Sequence, residues 1–514
     1  MNSARLLRTT AVVLSAFGLL VAGCTDGGTA LSASASASAA RAVASTEELK
    51  AYYGQRLRWR ACGVPDFECS TLRVPLDYTE PDGHQVKLAV TRIRATGPGK
   101  RLGSLHVNPG GPGGSSVGFL QGYAGVGYPA PVRARYDMVA VDPRGVARSE
   151  PVNCLDGPAM DAYTQIDQTP DNPRENDLVA ASFRRFAAGC AKRSGRILPH
   201  VSTVEAARDM DILRAALGDR KLHYVGASYG TFLGATYAEL FPSRTGRLVL
   251  DGAMDPSLPT AELNRDQTAG FQRAFDSFAT DCARRPGCPL GTGTPTAAAA
   301  RIKAFFARLD TRPVPTGESR PLGEALATTG VLAALYDESA WPLLRDALTR
   351  AMNGDGAPLL SLADSYYERR PDGTYSNLMY ANAAVNCLDQ PPAFTSPAEV
   401  TAAVPSFEKA SSVFGEGLAW ASLNCAQWPA KATGAPHRIE ARGAAPIVVV
   451  GTTRDPATPY KWAEALADQL ASGTLLTYEG DGHTAYGRGS DCVDSAINAY
   501  LLDGTVPADG KRCR

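Results

Sequence analysis

Several kinds of functional signal are scarce or absent in this chain of 514 residues. Basic and acidic residues balance at 52 each, so the chain has neither the basic surplus of a nucleic-acid-binding protein nor an acidic solvating tail. No CxxC or HxxxH spacing occurs, and we therefore expect no metal site and no cofactor. The uncharged run over residues 9–23 is shorter than the roughly 20 apolar residues that a membrane-spanning helix needs.

The N-terminus has the pattern of an export signal instead. Arg5 and Arg8 precede the uncharged run, which predicts a signal peptide over residues 1–23. Residues 20–24, LVAGC, resemble the bacterial lipobox, in which cleavage leaves Cys24 as a lipid-modified N-terminus; an ordinary signal peptide with an incidental cysteine is the alternative. Residues 24–44 are rich in Ser, Ala, Gly and Thr and predict a lipid-anchored flexible tether. We expect a secreted protein or a lipoprotein on the extracellular face of the cell membrane.

The cysteines point to the same oxidising destination. The chain has 11, and setting Cys24 aside leaves an even number, as a disulfide framework requires. Connectivity is not readable from sequence, so we take the sequential pairing, which closes only local loops, as a working hypothesis. It joins Cys62 to Cys69, Cys154 to Cys190, Cys282 to Cys288, Cys387 to Cys425 and Cys492 to Cys513.

Short apolar runs bounded by turn residues recur along the chain. Because they are continuous rather than alternating, they predict strands buried on both faces of a parallel sheet. They lie at residues 104–108, 136–142, 222–228, 246–252, 445–452 and 473–480. Helical segments fall between them, one opened by a capping box at Ser202 and Glu205. The expected fold class is α/β, opened by an antiparallel pair at residues 71–78 and 85–94.

The alternation of strand and helix breaks after about residue 255. Helical patterns dominate residues 256–436, which predicts a helical cap domain inserted into a core formed by residues 45–255 and 437–514. An independent partner-binding domain is the alternative for this stretch.

The motif GASYG, residues 226–230, lies between a predicted buried strand and a predicted helix. A serine there must make a sharp turn, and small flanking glycines avoid collisions with both elements. Such a turn exposes the hydroxyl of Ser228 above the sheet, as in a nucleophile elbow.

A serine hydroxyl needs a base, and the base needs a carboxylate. Of the 6 histidines, His483 follows the last predicted strand in a glycine-rich loop, whereas His223 lies inside a strand and is expected to be packed. Asp455 directly follows a strand and gives the order Ser, Asp, His. A turn-capping role is the alternative for Asp455, and Asp481 is the competing carboxylate.

Donors for a tetrahedral oxyanion are expected on the same edge of the sheet. The backbone N–H of Tyr229 opens the helix after the turn, and the glycine-rich loop at residues 108–115 should supply a second. This loop lacks the GK[ST] ending of a P-loop and the Rossmann GxGxxG spacing, which argues against phosphate binding.

Six motifs occur in order along the chain: NPGGPGGSS, VAVDPRGVARSEP, GASYGTFLGATYAELFP, LDGAMDP, GTTRDPATPY and GDGHTAYG. Taken together, they resemble the actinobacterial tripeptidyl aminopeptidases, exported serine exopeptidases of the α/β-hydrolase superfamily that are related to proline iminopeptidases. The resemblance runs from about residue 59 to residue 513 and depends on the agreement of all six in order and spacing.

The resemblance implies that Ser228, Asp455 and His483 form a catalytic triad and that Gly111 with Tyr229 supplies the oxyanion hole. It implies an α/β-hydrolase fold and the release of short peptides, tripeptides among them, from the free N-termini of peptides or proteins. In the second motif, Asp142 and Arg144 would shape the floor of the site without taking part in the chemistry.

An aminopeptidase needs a negative group at a fixed distance from Ser228 to pair with the substrate ammonium. Asp389 lies two residues after a cysteine of a predicted disulfide, a rigid place for a carboxylate. Glu338 and Asp337 are competitors, and an exposed surface charge is the alternative for Asp389.

Two other functions stay open on the same residues. A triad does not choose between amides and esters, so a carboxylic-ester hydrolase or lipase is the first alternative. A surface-displayed binding lipoprotein that keeps the fold without catalysis is the second.

Overall fold

The computed structural model of the protein describes residues 44–45 and 47–514. The predicted signal peptide, Cys24 and nearly all of the predicted tether lie outside the described residues. Ten strands form a single sheet in the described part. They are β1 (Arg60–Ala61), β2 (Phe67–Pro75), β3 (Gln85–Ile93), β4 (Gly103–Asn108), β5 (Tyr136–Val141), β6 (Leu222–Ala227), β7 (Thr245–Asp251), β8 (Ile447–Arg454), β9 (Gly473–Asp481) and β10 (Lys511–Cys513).

The sheet is antiparallel at one end and parallel over the rest. Its order is β1-β2-β3-β5-β4-β6-β7-β8-β9-β10. The pairs β1–β2, β2–β3 and β3–β5 are antiparallel, and every later pair is parallel. The predicted opening pair is therefore present as β2 and β3. The edge strands β1 and β10 were not predicted, because two or three residues carry no readable period.

The central strands are buried on both faces, as their continuous apolar runs predict. On β7, Leu248 and Leu250 belong to the core on one face of the sheet, whereas Val249 between them belongs to the core on the other face. Val448 and Val449 on β8 divide between the two cores in the same way. Helices must therefore cover both faces of the sheet.

The helices fall into two groups. Those outside the segment between β7 and β8 are α1 (Lys50–Tyr53), α2 (Ser116–Phe119), α3 (Gly125–Gly127), α4 (Ala130–Arg135), α5 (Gly157–Thr164), α6 (Pro173–Ser194), α7 (Thr203–Ala216), α8 (Tyr229–Leu240), α17 (Tyr460–Gln469) and α18 (Asp491–Asp503). The capping box predicted at Ser202 and Glu205 opens α7. Among the described residues, no helix has both the length and the apolar character needed to cross a membrane.

Between β7 and β8 the described chain adds helices but no strand of the sheet. They are α9 (Thr260–Ala283), α10 (Pro295–Thr311), α11 (Glu324–Leu335), α12 (Trp341–Met352), α13 (Ala357–Tyr367), α14 (Leu378–Asp389), α15 (Pro397–Ala410) and α16 (Gly415–Ala421). We call this segment the cap. It has a hydrophobic core of its own, in which Phe275, Phe278 and Ile302 are fully buried. The α/β fold with an inserted helical segment is thus confirmed, while the domain boundaries given above stay a prediction.

Five disulfide bonds are present, and they follow the sequential pairing. They join Cys62–Cys69, Cys154–Cys190, Cys282–Cys288, Cys387–Cys425 and Cys492–Cys513. The Cys387–Cys425 bond ties α14 of the cap to the segment that follows α16.

Candidate active site

Ser228 makes the turn between β6 and α8 alone, because the strand ends at Ala227 and the helix begins at Tyr229. Its backbone has φ 56° and ψ −125°, a conformation that residues with a side chain rarely adopt and that costs backbone strain. The neighbouring glycine is needed for space, since a Cβ on Gly226 would lie 2.3 Å from the carbonyl oxygen of Gly230. The sharp turn expected at the GASYG motif is therefore present.

His483 follows β9 and is held by a carboxylate on one side of its ring. Its Nδ1 lies 2.8 Å from Oδ2 and 2.9 Å from Oδ1 of Asp455. This contact fixes Nδ1 as the protonated nitrogen and leaves Nε2 as the basic one. Nε2 is buried and has no hydrogen-bond partner in the described part of the chain.

Asp455 is completely buried at the end of β8. It accepts hydrogen bonds from the N–H groups of Ala457 (2.9 Å) and Thr458 (2.8 Å), and the Thr458 hydroxyl donates to its Oδ2 at 3.0 Å. Asp455 therefore caps its own turn and also holds the histidine, so the two predicted roles coexist. The competing Asp481 forms an ion pair with Arg454 at 2.7 Å instead.

The strand order brings these residues to one edge of the sheet. Ser228, Asp455 and His483 follow β6, β8 and β9, whose parallel direction places all three at the carboxyl edge. The N–H of Ser228 donates to the carbonyl of Asp251 at 2.9 Å. A Cβ on the next residue, Gly252, would lie 3.1 Å from Cε1 of His483. The hydroxyl and the imidazole are not hydrogen-bonded to each other, a bond that commonly tightens only when substrate binds.

The other strand histidines are packed, as predicted for His223. Its Nδ1 accepts the N–H of Arg247 at 3.1 Å, and burial lowers its pKa to about 4. His106 on β4 is fully buried, and burial lowers its pKa to about 3. Both rings are neutral and lie within the sheet, so neither competes with His483.

A cavity of about 220 Å³ opens in front of Ser228. Gly111 and Tyr229 line it together with the serine. As the first residue of α8, Tyr229 has an N–H without an acceptor inside the helix. The glycine-rich loop approaches the turn closely: a Cβ on Gly110 would lie 2.5 Å from the carbonyl oxygen of Ala227. Only main chain fits at this contact.

Side chains outside the cavity fix the shape of the glycine-rich loop. Asn108 Oδ1 accepts the N–H of Gly110 at 2.8 Å, and Asp142 accepts the hydroxyl of Ser115 at 2.8 Å and the N–H of Val117 at 3.0 Å. Arg144 is buried and pairs with Asp209 at 2.7 Å. Asp142 and Arg144 therefore contact the scaffold, and their role in shaping the floor of the site stays a prediction.

Asp389, the last residue of α14, is buried and lines the same cavity. Its oxygens accept the N–H of Thr203 at 2.7 Å and the Thr203 hydroxyl at 2.5 Å. The Thr203 hydroxyl oxygen lies 2.5 Å from the hydroxyl of Tyr229, which links the carboxylate to the helix after Ser228. Burial raises the pKa of Asp389 to about 7, against the lowering effect of the Thr203 hydrogen bonds.

The two competing cap carboxylates do not line this cavity. Asp337 forms an ion pair at 2.8 Å with Arg488. Arg488 is on the loop that carries His483. Glu338 follows it in a short helical turn, Glu338–Ala340. Of the three predicted candidates, only Asp389 faces the space in front of Ser228.

The cap also contacts the histidine loop directly. The N–H of His483 donates to the carbonyl of Tyr336 at 2.8 Å, and the two rings meet edge to face at 5.6 Å. Arg488 donates to the carbonyl oxygen of His483 while it pairs with Asp337. The backbone of His483 is thus held by Tyr336 of the cap directly and by Asp337 of the cap through Arg488.

Sequence reasoning did not identify Thr458 or Tyr336. A threonine three residues after a strand-end aspartate was a usable signal for Thr458, because such turns pair hydroxyl and carboxylate. Tyr336 accepts the N–H of His483 through its main-chain carbonyl, for which a sequence carries no signal.

Comparison with known proteins shows which proteins this chain is similar to. A family model described as "TAP-like protein" matches residues 411–513. Serine protease Hip1 of Mycobacterium tuberculosis is 38% identical over 482 residues, covering 90% of this chain and 91% of the relative. Carboxylesterase B of the same organism is 39% identical, covering 87% and 86%. Tripeptidyl aminopeptidase of Streptomyces lividans is 30% identical, covering 88% and 86%.

Fold, site and relatives together define the class: the protein is a serine hydrolase of the α/β-hydrolase fold. Within that class, the chain belongs to the tripeptidyl aminopeptidase-like family.

Thr458→Val should reduce turnover, because it removes the hydroxyl that donates to Asp455 and keeps the shape of the side chain. We expect kcat for a small ester to fall about tenfold with KM little changed. The reason is that a hydrogen bond to a charged group is worth roughly 1.5 kcal/mol. Thr458→Ser retains the donor and is the matched control. Equal kcat for the valine and serine variants would contradict the role of this hydroxyl.

Arg488→Gln should loosen the contact between cap and histidine loop. Asp337 is nearly half exposed, so we expect a loss of about fivefold in kcat, at the upper end for such a pair, and partial recovery in Arg488→Lys. Arg285→Gln breaks the pair with Asp281 elsewhere in the cap and serves as control. A loss in the control as large as that in Arg488→Gln would show a general effect of the cap.

Proposed function

We propose that this protein is an exported serine aminopeptidase that releases short peptides, tripeptides among them, from free N-termini. The observation that carries the proposal is the imidazole of His483, bonded to Asp455 through Nδ1 with a free Nε2, at the sheet edge where Ser228 turns. In this assignment Ser228 is the nucleophile, His483 the base and Asp455 the residue that orients the base.

Acylation begins when Nε2 of His483 takes the proton of the Ser228 hydroxyl. Oγ then bonds to the carbonyl carbon of the third residue of the substrate, and the carbonyl π electrons move to its oxygen. When the C–N bond breaks, the imidazolium returns the proton to the leaving amine. The shortened chain departs, and the released segment remains as an ester on Ser228.

The oxyanion formed on the way is held by the N–H groups of Gly111 and Tyr229. Both residues line the cavity beside Ser228, and such main-chain donors act without side-chain reorganisation. Water then attacks the ester, His483 takes a proton from that water and passes it to Oγ, and the peptide acid leaves.

Specificity for a free N-terminus is assigned to Asp389. It is the candidate carboxylate that lines the cavity, and relatives named tripeptidyl aminopeptidase support a peptide substrate. A carboxylesterase is the second candidate, favoured by the relative of that name at 39% identity. The proposed triad can hydrolyse either an amide or an ester. Substrates that differ in the scissile bond and in the N-terminal group therefore distinguish the two functions.

Export is part of the proposal because five disulfides form in the described chain, and such bonds persist in oxidising compartments. The signal pattern before Cys24 supports the same destination. Lipid attachment at Cys24 stays a prediction from the sequence.

A matched substrate set tests the reaction. We expect a tripeptide amide with a free amine to be hydrolysed at least tenfold better, by kcat/KM, than its N-acetylated twin. Ser228→Ala should lose nearly all turnover and fail to react with a fluorophosphonate. Preference for the acetylated peptide, or for a simple ester over both, would replace the aminopeptidase with the esterase.

Ionisation of Asp389 gives the second test. The carboxyl has a pKa of about 7 because it is buried, with Glu205 adding to the effect; Tyr229 faces it through Thr203. The carboxylate form is therefore present above pH 7 and lost below it, so the ratio of kcat/KM for free-amine peptide to that for ester should rise through this pH. It should fall again above about pH 8 as the substrate amine loses its proton.

The ratio removes the pH dependence that the triad gives to both substrates. Asp389→Asn should abolish the rise and lower the ratio about tenfold or more, as expected for a charge-assisted hydrogen bond. A ratio that keeps its rise in this variant would assign the titration to another group.

A further inference from the structure

Two helices of the cap present carboxamide side chains to the cavity in front of Ser228. Asn264 and Gln267, three residues apart on α9, line it, as do Asn382, Asn386 and Asp389 on α14. Residues three or four apart lie on one face of a helix. Each helix therefore turns a polar face toward this cavity, and the orientation of each amide decides which ligand fits.

The orientation of the Asn382 side-chain amide on α14 is set by the carbonyl oxygen of Pro112, which can only accept a hydrogen bond. The NH₂ group of Asn382 donates to the carbonyl oxygen of Pro112 at 3.0 Å. Its own carbonyl oxygen must then face Asn386, whose NH₂ group donates to it at 3.1 Å. The carbonyl oxygen of Asn386 is left as a free acceptor at the end of this relay.

The orientation on α9 follows in the same way. The NH₂ group of Gln267 donates to the carbonyl oxygen of Ala457 at 2.8 Å. That of Asn264 donates to the hydroxyl oxygen of Ser422 at 3.0 Å, whose proton is committed to the carbonyl of Leu418 at 2.7 Å. The side-chain carbonyl oxygens of Asn264 and Gln267 therefore point away from Ser422 and Ala457, the residues that accept from their NH₂ groups. Neither carbonyl oxygen is among the buried atoms that have no hydrogen-bond partner.

The charges of the cavity favour a cationic ligand that donates hydrogen bonds. Asp389 uses two acceptor positions for Thr203, and a carboxylate offers about four. The described residues that line the cavity include no lysine, arginine or histidine. A ligand with a carboxylate or phosphate would meet acceptors without a balancing cation, whereas an ammonium group supplies three donors and a positive charge.

We propose that the carbonyl oxygens of Asn264, Gln267 and Asn386, together with the carboxylate of Asp389, form the subsite for the N-terminal ammonium group of the substrate. This rests on the proposed aminopeptidase function and assigns its selectivity to a set of neutral acceptors around the Asp389 carboxylate. The other carboxylate that lines the cavity, Asp255, already accepts hydrogen bonds from Ser257 and Gln469. An acetylated N-terminus fails there because it has lost the charge and two donors and adds a carbonyl oxygen that faces other acceptors.

The test changes one acceptor at a time and measures the ratio of kcat/KM for a free-amine tripeptide amide to that for its N-acetylated twin. We expect Asn386→Leu to lower this ratio about tenfold, mainly through a higher KM for the free-amine peptide, and Asn264→Leu/Asn386→Leu to lower it further. Asn386→Asp restores an acceptor with charge and should keep or raise the ratio.

Asn153→Leu is the matched control, since Asn153 is exposed in a polar turn and donates to Pro151; it should leave the ratio unchanged. Melting temperatures show whether each variant is folded, and binding of a free tripeptide to Ser228→Ala, with and without Asn386→Leu, measures the subsite without turnover. An unchanged ratio in the double variant, with the wild type preferring the free amine, would overturn the subsite alone. No preference in the wild type would overturn the subsite and the proposed function together.

Discussion

The left-handed backbone at Ser228 is the constraint on which the site depends. A residue with a side chain remains in such a conformation only where its surroundings fix it. Here β6 lies between β4 and β7. The N–H of Ser228 donates to the carbonyl of Asp251, and its carbonyl oxygen accepts the hydroxyl of Thr231. All these contacts belong to the sheet and its first helix. The position of the hydroxyl is therefore set by the core, whatever the cap does.

The position of His483 has a different origin. Asp455 holds its ring from the core, and Asp251 accepts the N–H groups of Ala485 and Tyr486 in the same loop. Its backbone, however, is bound by the carbonyl of Tyr336 in the cap. In the proposed mechanism, the nucleophile is therefore fixed by the core, whereas the base is held partly by the cap.

Much of this arrangement was predictable from the sequence, because it depends on local patterns. Continuous apolar runs gave the central strands, and the capping box at Ser202 gave the start of α7. We could predict that Ser228, Asp455 and His483 lie near one another because each follows a predicted strand and parallel strands end at one edge of the sheet. Even the disulfides followed sequence order, with bonded cysteines between 6 and 38 residues apart.

Contacts between the core and the cap were not predictable, because no local pattern records them. The carbonyl of Tyr336 and the amide relay from Pro112 to Asn386 join residues that are far apart in sequence. Edge strands of two or three residues were missed for lack of a period. Asp389 was chosen for its rigid position beside Cys387, and the sequence did not contain the bond to Thr203 that fixes its direction.

The placement of Asp389 at the end of α14 adds a further reason for a cation in front of Ser228. The carboxyl end of a helix carries partial negative charge, because its last carbonyl groups lack partners within the helix. Asp389 is the final residue of a helix of 12 residues, and the Cys387–Cys425 disulfide fixes that end. A carboxylate at the negative end of a helix is unfavourable, and in the proposed subsite a bound ammonium group offsets that cost.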